Sequence, residues 1–326
     1  MLKEAVVNTL EIVGGLAITR YLTRRKPRIL MYHRVVDSPL LPGISPKLFE
    51  AQLIYLKKNF NVVSLNELLA NVKKKTEKDY QVAVTFDDGH HDFYTHAWPI
   101  LRKHGVPATL FTTTGFVDKK VWLWPDLLRM IILAAPPNNY RLDGLGEIAL
   151  TRENPLHVWN TIADYCLTLS HAGRMVFITD LAFKMNVSVD AEPQEPFAPV
   201  SWSELREMKS EGLDIGSHSD THPILSDLSD EELIIELEYS KQRISEEIGI
   251  PPTGICYPNG MARDVSVKVE ERARQFYEYG LVAYPAEISM KNIMRLGRYA
   301  ASSNISRFKL LINGASFHVN HAGEYK

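Results

Sequence analysis

Two adjacent carboxylates close an apolar run in the segment Thr85-Phe86-Asp87-Asp88-Gly89. Neighbouring side chains at the end of a strand point in different directions, so one aspartate can bind a metal ion while the other accepts a proton from water. Asp-Gly is also a common turn sequence. Taken alone, the pair therefore favours a plain turn over a catalytic site.

Two histidines four residues apart follow another apolar run, in His218-Ser219-Asp220-Thr221-His222-Pro223. At this spacing both rings can lie on one face of a helical turn and close on a single ion. A lone pair of this kind is more often a solvated turn. Together with Asp88, however, His218 and His222 make a set of two imidazoles and one carboxylate, which suits zinc or another late divalent metal and leaves positions for water and substrate.

Short strands alternating with helices must position these side chains. Runs rich in β-branched or apolar residues predict strands at 28–33, 62–65, 82–86, 108–112, 213–217, 254–257, 280–284 and 293–296. Such alternation predicts a parallel α/β sheet, and the number of units suits an irregular (β/α)7-type barrel. Both motifs then fall at the carboxyl ends of parallel strands, where α/β active sites are built.

Two helices have clear starts in the sequence. Ser45 as N-cap and Pro46 at the first helical position begin one of them, and its apolar face carries Phe49, Leu53 and Leu56. Ser201 is followed three residues later by Glu204, a capping-box pattern for a helix that ends near residue 212. Both helices are expected to serve packing.

Residues 118–200 break the alternation. They carry helical patterns without a motif and end in the proline-rich stretch 192–199. We interpret them as an inserted helical subdomain of the barrel that spans residues 27–326. Trp122 and Trp124 lie in this insert; packing in its core is favoured over stacking on a sugar ring, which their flat faces also allow.

Residues 1–26 predict an amphipathic helix that ends in the basic cluster 24–26. The apolar stretch is too short for a membrane span and is interrupted by Glu4 and Glu11. Its helically spaced apolar residues are Leu2, Val6, Leu10, Val13 and Ala17. Packing on the protein's own domain is favoured, and peripheral contact with an anionic membrane surface stays open.

The composition excludes several classes of protein. The chain has 326 residues, 45% of them hydrophobic, with 37 basic and 39 acidic side chains and a net charge of -2. A chain of this size and composition buries a full core, which argues against disorder and disulfide scaffolds, and the balanced charge argues against a nucleic-acid partner. Cys166 and Cys256 lack the paired spacing of a thiolate zinc site, and a reduced, cytoplasmic location fits best.

The motifs together resemble the polysaccharide deacetylase family, the NodB-homology or carbohydrate esterase family 4 enzymes, whose fold is an irregular (β/α) barrel. The resemblance rests on residues 85–89, 218–223 and Cys256-Tyr257-Pro258-Asn259-Gly260, in the family's order. The opening Met31-Tyr32-His33-Arg34-Val35 is similar to one branch of the family. The likeness covers most of the chain apart from the insert and the N-terminal helix.

The resemblance implies roles for these residues. Asp87 would be the general base, and Asp88, His218 and His222 would bind the metal, most simply Zn²⁺, with Co²⁺ or Ni²⁺ as alternatives. A backbone N–H in the third motif, with Asn259 as the candidate, would stabilise the oxyanion. The implied reaction is metal-assisted hydrolysis of an N-acetyl amide on a glycan.

Two parts of the family's pattern are missing. The third motif of the family often carries an arginine that orients the base, and Cys256 stands in its place. Arg298 is the candidate replacement, an ordinary surface arginine being the alternative. The late histidine motif that would supply the acid is not recognisable, so we favour His33 over His318 and His321, while a purely structural histidine stays open.

The leading hypothesis is a metal-dependent deacetylase that removes an N-acetyl group from an amino sugar in a glycan or its cytoplasmic precursor. His90 and His91, which directly follow the aspartates, are expected at the rim of the site. One alternative is a catalytically silent glycan-binding protein, which the missing arginine and histidine motif would suit. The other is a metal amidase that acts on a small non-sugar amide.

Overall fold

The computed structural model describes residues 14–76 and 78–315. The strands of the described residues are β1 Arg28–Tyr32, β2 Asn61–Val62, β3 Gln81–Phe86, β4 Ala108–Thr112, β5 Asn138–Leu142, β6 Gly146–Leu150, β7 Asp214–Ser217, β8 Gly254–Cys256, β9 Tyr279–Leu281 and β10 Tyr299–Ala300. The centre of the fold is a curled sheet in which strands run parallel in the order β10-β1-β3-β4-β7-β8-β9, with β2 beside β3.

Helices cover the outside of the sheet. In chain order they are α1 Gly15–Leu22, α2 Pro46–Asn59, α3 Leu65–Lys74, α4 Trp98–His104, α5 Thr114–Val117, α6 Trp124–Ala134, α7 Pro155–Cys166, α8 His171–Lys184, α9 Trp202–Ser210, α10 Asp230–Ile248, α11 Val267–Phe276 and α12 Ile305–Ile312. Every residue of β1, β3 and β4 is buried. Continuous apolar runs are what a parallel sheet needs when both of its faces are covered.

The last segment of the sheet links its two edges. The Leu296 N–H donates to Gly280 O at 2.9 Å, and the Val282 N–H donates to Leu296 O at 3.0 Å. A few residues later, Tyr299 pairs with Leu30 in β1. The sheet therefore curls into the half-barrel of an irregular (β/α) fold, which confirms the predicted fold class.

The helix starts predicted from the sequence are confirmed. Ser45 Oγ accepts the Leu48 N–H at the start of α2, and Phe49, Leu53 and Leu56 of that helix are buried. At α9 the reciprocal capping box of Ser201 and Glu204 is present. Since each cap satisfies N–H groups that have no partner within the helix, these local signals fix where the helices begin.

Three predicted strands are wrong in extent. The run 280–284 is strand only as far as Leu281. Of the run 62–65, only Val62 is in a strand, because Ser64 caps α3 through a hydrogen bond from the Glu67 N–H. Of the run 293–296, only Leu296 forms a bridge to β9, and the strand comes later, at β10. At Gly297 the backbone passes close to Ala286, and a Cβ there would lie 1.9 Å from the Ala286 nitrogen.

Between β4 and β7 the chain forms α6, α7 and α8, which pack around an apolar cluster of their own. Trp124 is buried in that cluster and Trp122 packs against it, which agrees with the packing interpretation. The antiparallel hairpin β5–β6 was not expected in a helical insert. Its signal was the dipeptide Asp143-Gly144, a strong hairpin pattern, with Gly144 at φ 79°.

Most of the predicted N-terminal helix lies outside the described residues, which begin at Gly14. Helix α1 buries Leu16, and its Arg20 Nη1 donates to Asn59 Oδ1 at 2.7 Å. Among the described residues, none of the helices combines the length and the apolar character needed to cross a membrane. The part of this segment that the structure describes thus packs on the barrel.

Candidate active site and metal centre

Three strand ends bring the motifs together at one end of the half-barrel. The Asp87 N–H donates to Tyr32 O at 3.0 Å, and the His218 N–H donates to Thr112 O at 2.9 Å. Asp88 has a φ of 74°, a conformation uncommon for residues other than glycine. This turn directly after Asp87 lets the two adjacent carboxylates face different neighbours.

Asp88, His218 and His222 form a buried cluster whose ligand atoms all lie within 4.8 Å of one another. Asp88 Oδ1 is 3.3 Å from His218 Nε2 and 3.5 Å from His222 Nε2. Ligands ~2.0–2.1 Å from a tetrahedral zinc ion lie roughly 3.3–3.4 Å from one another. The separations of both histidines from Asp88 therefore match those of ligands around a divalent metal ion.

The environment of both imidazoles suits metal binding. His218 Nδ1 is 2.7 Å from Cys256 O, which leaves Nε2 to face Asp88. Burial alone would lower the pKa of His218, but Cys256 and Asp88 outweigh burial and hold that pKa well above the ordinary value, so Nε2 carries a proton that metal binding would displace. Burial, and after it the neighbouring His218, lowers the pKa of His222 to about 4, which keeps that ring neutral near pH 7. Burial alone would raise the pKa of Asp88, but its hydrogen bond with His218 and the other histidines hold it well below the ordinary value.

The two histidines do not lie on a helical turn, contrary to the expectation from their spacing. Ser219 and His222 have φ values of 64° and 61°, and the segment is a loop. Glu236 of α10 fixes this loop, since its Oε2 accepts the N–H groups of Asp220 and Thr221 at 2.9 and 3.0 Å. Glu236 has no signal in the sequence, because only the packing of α10 brings it to the loop.

Asp87 is held by Arg298 in a two-pronged ion pair. Nη1 and Nη2 donate to the two carboxylate oxygens, each at 2.7 Å, and both side chains are buried. Arg298 also donates to Thr85 Oγ1 at 3.2 Å and Cys256 Sγ at 2.9 Å. The guanidinium thus fixes the plane of the carboxylate, and the small Cys256 leaves room for it.

The ion pair sets the charge of Asp87. Burial would raise the pKa of the carboxyl, but the charge and hydrogen bonds of Arg298 outweigh burial and hold that pKa below its ordinary value. Asp87 is therefore ionised near pH 7. An ionised and oriented carboxylate can accept a proton from a water molecule beside it.

The other predicted catalytic residues lie at the same end of the fold. His33 Nε2 is 3.8 Å from Asp87 Oδ2, and its side chain is 42% exposed. Asn259 lines the cleft in a left-handed conformation with φ 56°. His318 and His321 lie outside the described residues.

A cleft of about 990 Å³ opens above these groups. The insert forms one wall of it, through Trp124, Arg129, Trp159 and Leu167. The Arg129 guanidinium lies over the Trp159 ring, 4.2 Å from its centroid. Trp159 was missed in the sequence, where nothing distinguished it from a core residue of the insert.

The structure does not place His90 and His91 together at the rim of the site, as the sequence analysis expected. His90 is buried, and its Nε2 lies 2.6 Å from Asp126 Oδ2. His91 is outside the cleft lining, where its ring nitrogens contact Glu195 at 2.5 Å and Glu204 at 3.2 Å. The expectation is wrong because α6 of the insert covers His90 from one side, which the local sequence could not show.

A family model described as polysaccharide deacetylase matches residues 74–134 and 165–276, more than half of the chain. The matched residues include the aspartate pair and both histidines of the cluster. The stretch between the two matches, 135–164, contains the hairpin β5–β6 and most of α7. The middle of the insert therefore lies outside the part of the chain that the family model matches.

Curated relatives share shorter regions with the chain. YxkH of Bacillus subtilis is 39% identical over 105 residues, 31% of this chain and 37% of that protein. The poly-beta-1,6-N-acetyl-D-glucosamine N-deacetylase of Staphylococcus aureus is 36% identical over 79 residues, 24% of this chain and 27% of that protein. The matches thus span well under half the length of these relatives.

Solved structures share the fold over most of the chain. The Streptococcus pyogenes deacetylase PplD in complex with acetate is 21% identical with a TM-score of 0.59, covering 89% of this chain and 98% of that one. IcaB from Ammonifex degensii is 17% identical with a TM-score of 0.57, covering 87% and 97%. At such identities the likeness describes the fold.

Proposed function

Because the chain belongs to the polysaccharide deacetylase family, we propose that it is a metal-dependent hydrolase that removes the N-acetyl group from an amino sugar in a glycan or its precursor. The observation that carries the proposal is the pairing of an oriented, ionised Asp87 with the Asp88–His218–His222 cluster in one open cleft. A binding module has no need of both.

The metal proposed for the cluster is Zn²⁺, with Co²⁺ and Ni²⁺ as alternatives. Two imidazoles and a carboxylate are a common ligand set for a catalytic zinc ion, which keeps a position for water and substrate. When bound, such an ion would lower the pKa of water and polarise the acetyl carbonyl. The chain supplies the proton transfers and the orientation of the substrate.

Asp87 acts as the general base in this proposal. Its carboxylate accepts a proton from the attacking water, and the new C–O bond forms at the acetyl carbon. Arg298 keeps the carboxylate in place and ionised, so no reorientation is needed during the reaction. The backbone N–H of Asn259 is the proposed second donor to the oxyanion that develops on the carbonyl oxygen.

His33 is the proposed general acid. It protonates the amine nitrogen as the C–N bond breaks, which releases acetate and leaves a free amino sugar. Its ring lies beside Asp87 yet is open to the cleft, so it can reach a leaving group on the side away from the buried ligands. An imidazole ring nitrogen can carry and donate a proton, which suits this role.

The cleft supports a sugar substrate. Its lining combines charged side chains such as Arg129 with the aromatic residues Trp124 and Trp159, and such a mixture of polar and aromatic groups suits a sugar ring. The Staphylococcus aureus relative is named for an N-acetyl-D-glucosamine polymer, and we extend that substrate class to this chain as a proposal.

The test is acetate release by the zinc-loaded protein from N-acetylglucosamine oligosaccharides, measured beside simple N-alkyl acetamides. Release from the oligosaccharides alone supports the proposal. Release from the simple amides alone would instead identify a small-amide amidase. Glycan binding without release, in protein shown to contain metal, would identify a silent glycan-binding protein.

We further propose that the protein works at the cytoplasmic side of a membrane, in peripheral contact through residues 1–26. In the described part, α1 leaves Ile18, Tyr21 and Leu22 more than half exposed, and Arg25 and Lys26 follow. An exposed apolar face beside basic residues suits an anionic lipid surface. A lipid-linked glycan precursor would be reached from that position.

A further inference from the structure

Beside the metal cluster lies a buried carboxylate–imidazole pair with no part in the mechanism above. His90 Nε2 is 2.6 Å from Asp126 Oδ2, and both side chains are more than nine-tenths buried. His90 comes from the loop after β3, whereas Asp126 is in the first turn of α6. The pair is therefore a direct contact between the barrel and the insert at the floor of the cleft.

The free nitrogen of His90 faces a proposed metal ligand. Its Nδ1 is 3.8 Å from Asp88 Oδ2, while Asp88 Oδ1 faces His218 and His222. The two oxygens of Asp88 thus have separate neighbours. One is turned to the metal cluster and the other to His90.

His90 Nδ1 has no hydrogen-bond partner although it is buried. Leaving a buried polar atom without a partner costs about 1–3 kcal/mol, so such atoms are retained where something else uses them. The atom has practically no exposed area, which excludes a direct contact with a sugar. The charged oxygen that it faces is Asp88 Oδ2.

The ring has little freedom to turn away. Asp126 holds one edge, and Phe116 packs edge-on against the ring with centroids 5.3 Å apart. Since Asp126 is anchored on α6, the position of the ring depends on the docking of the insert. At 3.8 Å, His90 Nδ1 lies within ion-pair distance of Asp88 Oδ2 but beyond the length of a direct hydrogen bond.

We infer that His90 is a positioning residue for the metal ligand Asp88, and that Asp126 of the insert holds His90 for this purpose. The inference rests on the proposed metal role of Asp88. It gives the insert a function beyond forming the cleft wall, because it makes metal affinity depend on a residue of α6. Outer partners of metal ligands typically change metal affinity 10–100-fold when they are removed.

The test uses substitutions whose amide nitrogen takes the place of one of the two ring nitrogens of His90. His90→Gln keeps an amide nitrogen near the Nε2 position and loses the atom that faces Asp88, while His90→Asn does the reverse. We expect the dissociation constant for Zn²⁺, measured by chelator competition on apoprotein, to rise about 10–100-fold in His90→Gln and clearly less in His90→Asn. Asp126→Leu should resemble His90→Gln, and Asp126→Asn should be milder.

The matched control is His91→Gln, because His91 is the adjacent histidine and pairs with Glu195 and Glu204 away from the cleft. Its zinc affinity should equal that of the wild type. Thermal unfolding of each apoprotein shows whether a variant is folded, and only folded variants are compared.

Equal zinc affinity of folded His90→Gln and wild type would overturn the inference. The visible spectrum of the Co²⁺-loaded protein gives a second readout: a positioning residue leaves the ligand set unchanged, so the band positions should stay. A spectrum altered as in His222→Ala would make His90 a ligand and also overturn it. If the wild type itself binds no metal, the proposed function fails instead, and the two failures are thus distinguishable.

Discussion

The chemistry of the site depends on how single side chains divide their atoms among neighbours. Both carboxylate oxygens of Asp87 accept hydrogen bonds from Arg298, whereas one oxygen of Asp88 faces His218 and His222. Because adjacent aspartates have such different partners, one can serve proton transfer and the other metal binding. Substitutions at these positions should therefore have separable effects.

Asp87→Ala should abolish acetate release, by at least about 10²-fold for loss of a general base, while the protein retains about one metal ion per chain. His218→Ala should lose both metal and activity, because it removes a proposed ligand. Elemental analysis of protein purified without chelators or a metal-affinity tag, followed by acetate assays, checks both. The assignment of roles is wrong if Asp87→Ala is the variant that lacks metal.

Arg298→Lys should reduce kcat about 10–100-fold, because one ammonium cannot hold both oxygens of Asp87. Arg298 lowers the pKa of Asp87, so weakening the pair should raise that pKa. The acid limb of the kcat/KM profile against pH should then move to higher pH. Arg295→Lys is the matched control, since Arg295 pairs with Glu270 outside the lining of the cleft; an unmoved acid limb in Arg298→Lys would contradict the role.

At the scale of elements, a polar junction joins three helices behind the cleft. Asp118, at the end of α5, accepts hydrogen bonds from Arg243 of α10 at 2.9–3.2 Å and from Trp202 Nε1 of α9 at 2.7 Å. Its side chain is buried. This junction ties the outer helices to the segment that leads from β4 into the insert.

Asp118→Asn should lower the free energy of unfolding at pH 7 by about 1–2 kcal/mol. Burial opposes ionisation of Asp118, but Arg243, Trp202 and Lys120 outweigh it and lower its pKa to about 2. A lowered pKa stabilises the folded state above the unfolded value of ~3.9, and this stabilisation is lost as the pH falls toward 2. Urea unfolding should show the difference between variant and wild type shrinking by about half from pH 5 to pH 3; a constant difference would contradict it.

At the scale of the whole molecule, two segments are added to the barrel: the insert and the N-terminal segment. The insert closes one side of the cleft and contacts the barrel through Asp126 and His90. Helix α1 packs against the barrel through Arg20, which contacts Asn59 of α2 and Asn313 just after α12. The two additions are therefore suited to different tasks, one at the substrate and one at a surface.

Binding to a membrane is tested on the full chain with Ile18→Ser/Leu22→Ser. Both side chains are largely exposed in α1, so the substitutions should leave the fold intact and weaken binding to vesicles containing anionic lipid, by about tenfold or more in vesicle flotation. Val176→Ser/Phe183→Ser on α8, where both side chains are also exposed, is the matched control. Equal binding of wild type and the α1 variant would argue against contact through this helix.

The sequence by itself determined the parts of the site that are close along the chain. The aspartate pair, the His218–His222 spacing and the helix caps could be read directly, because caps and adjacent ligands depend on interactions within a few residues. The alternation of strands and helices likewise predicted an irregular (β/α) barrel with a parallel sheet, since such a sheet requires crossover connections. Strand ends were predicted less well where a cap or a close backbone approach, as at Gly297, decided them.

Only the tertiary structure decided the contacts that join distant segments. Residue type made Arg298 a candidate, but its contact with Asp87, 211 positions away, exists because the last segment of the sheet closes onto the first strands. The burial of His90 and its pairing with Asp126 follow from the docking of the insert, and the hold of Glu236 on the histidine loop follows from the packing of α10. Such contacts depend on how whole elements pack, which no local pattern of residues contains.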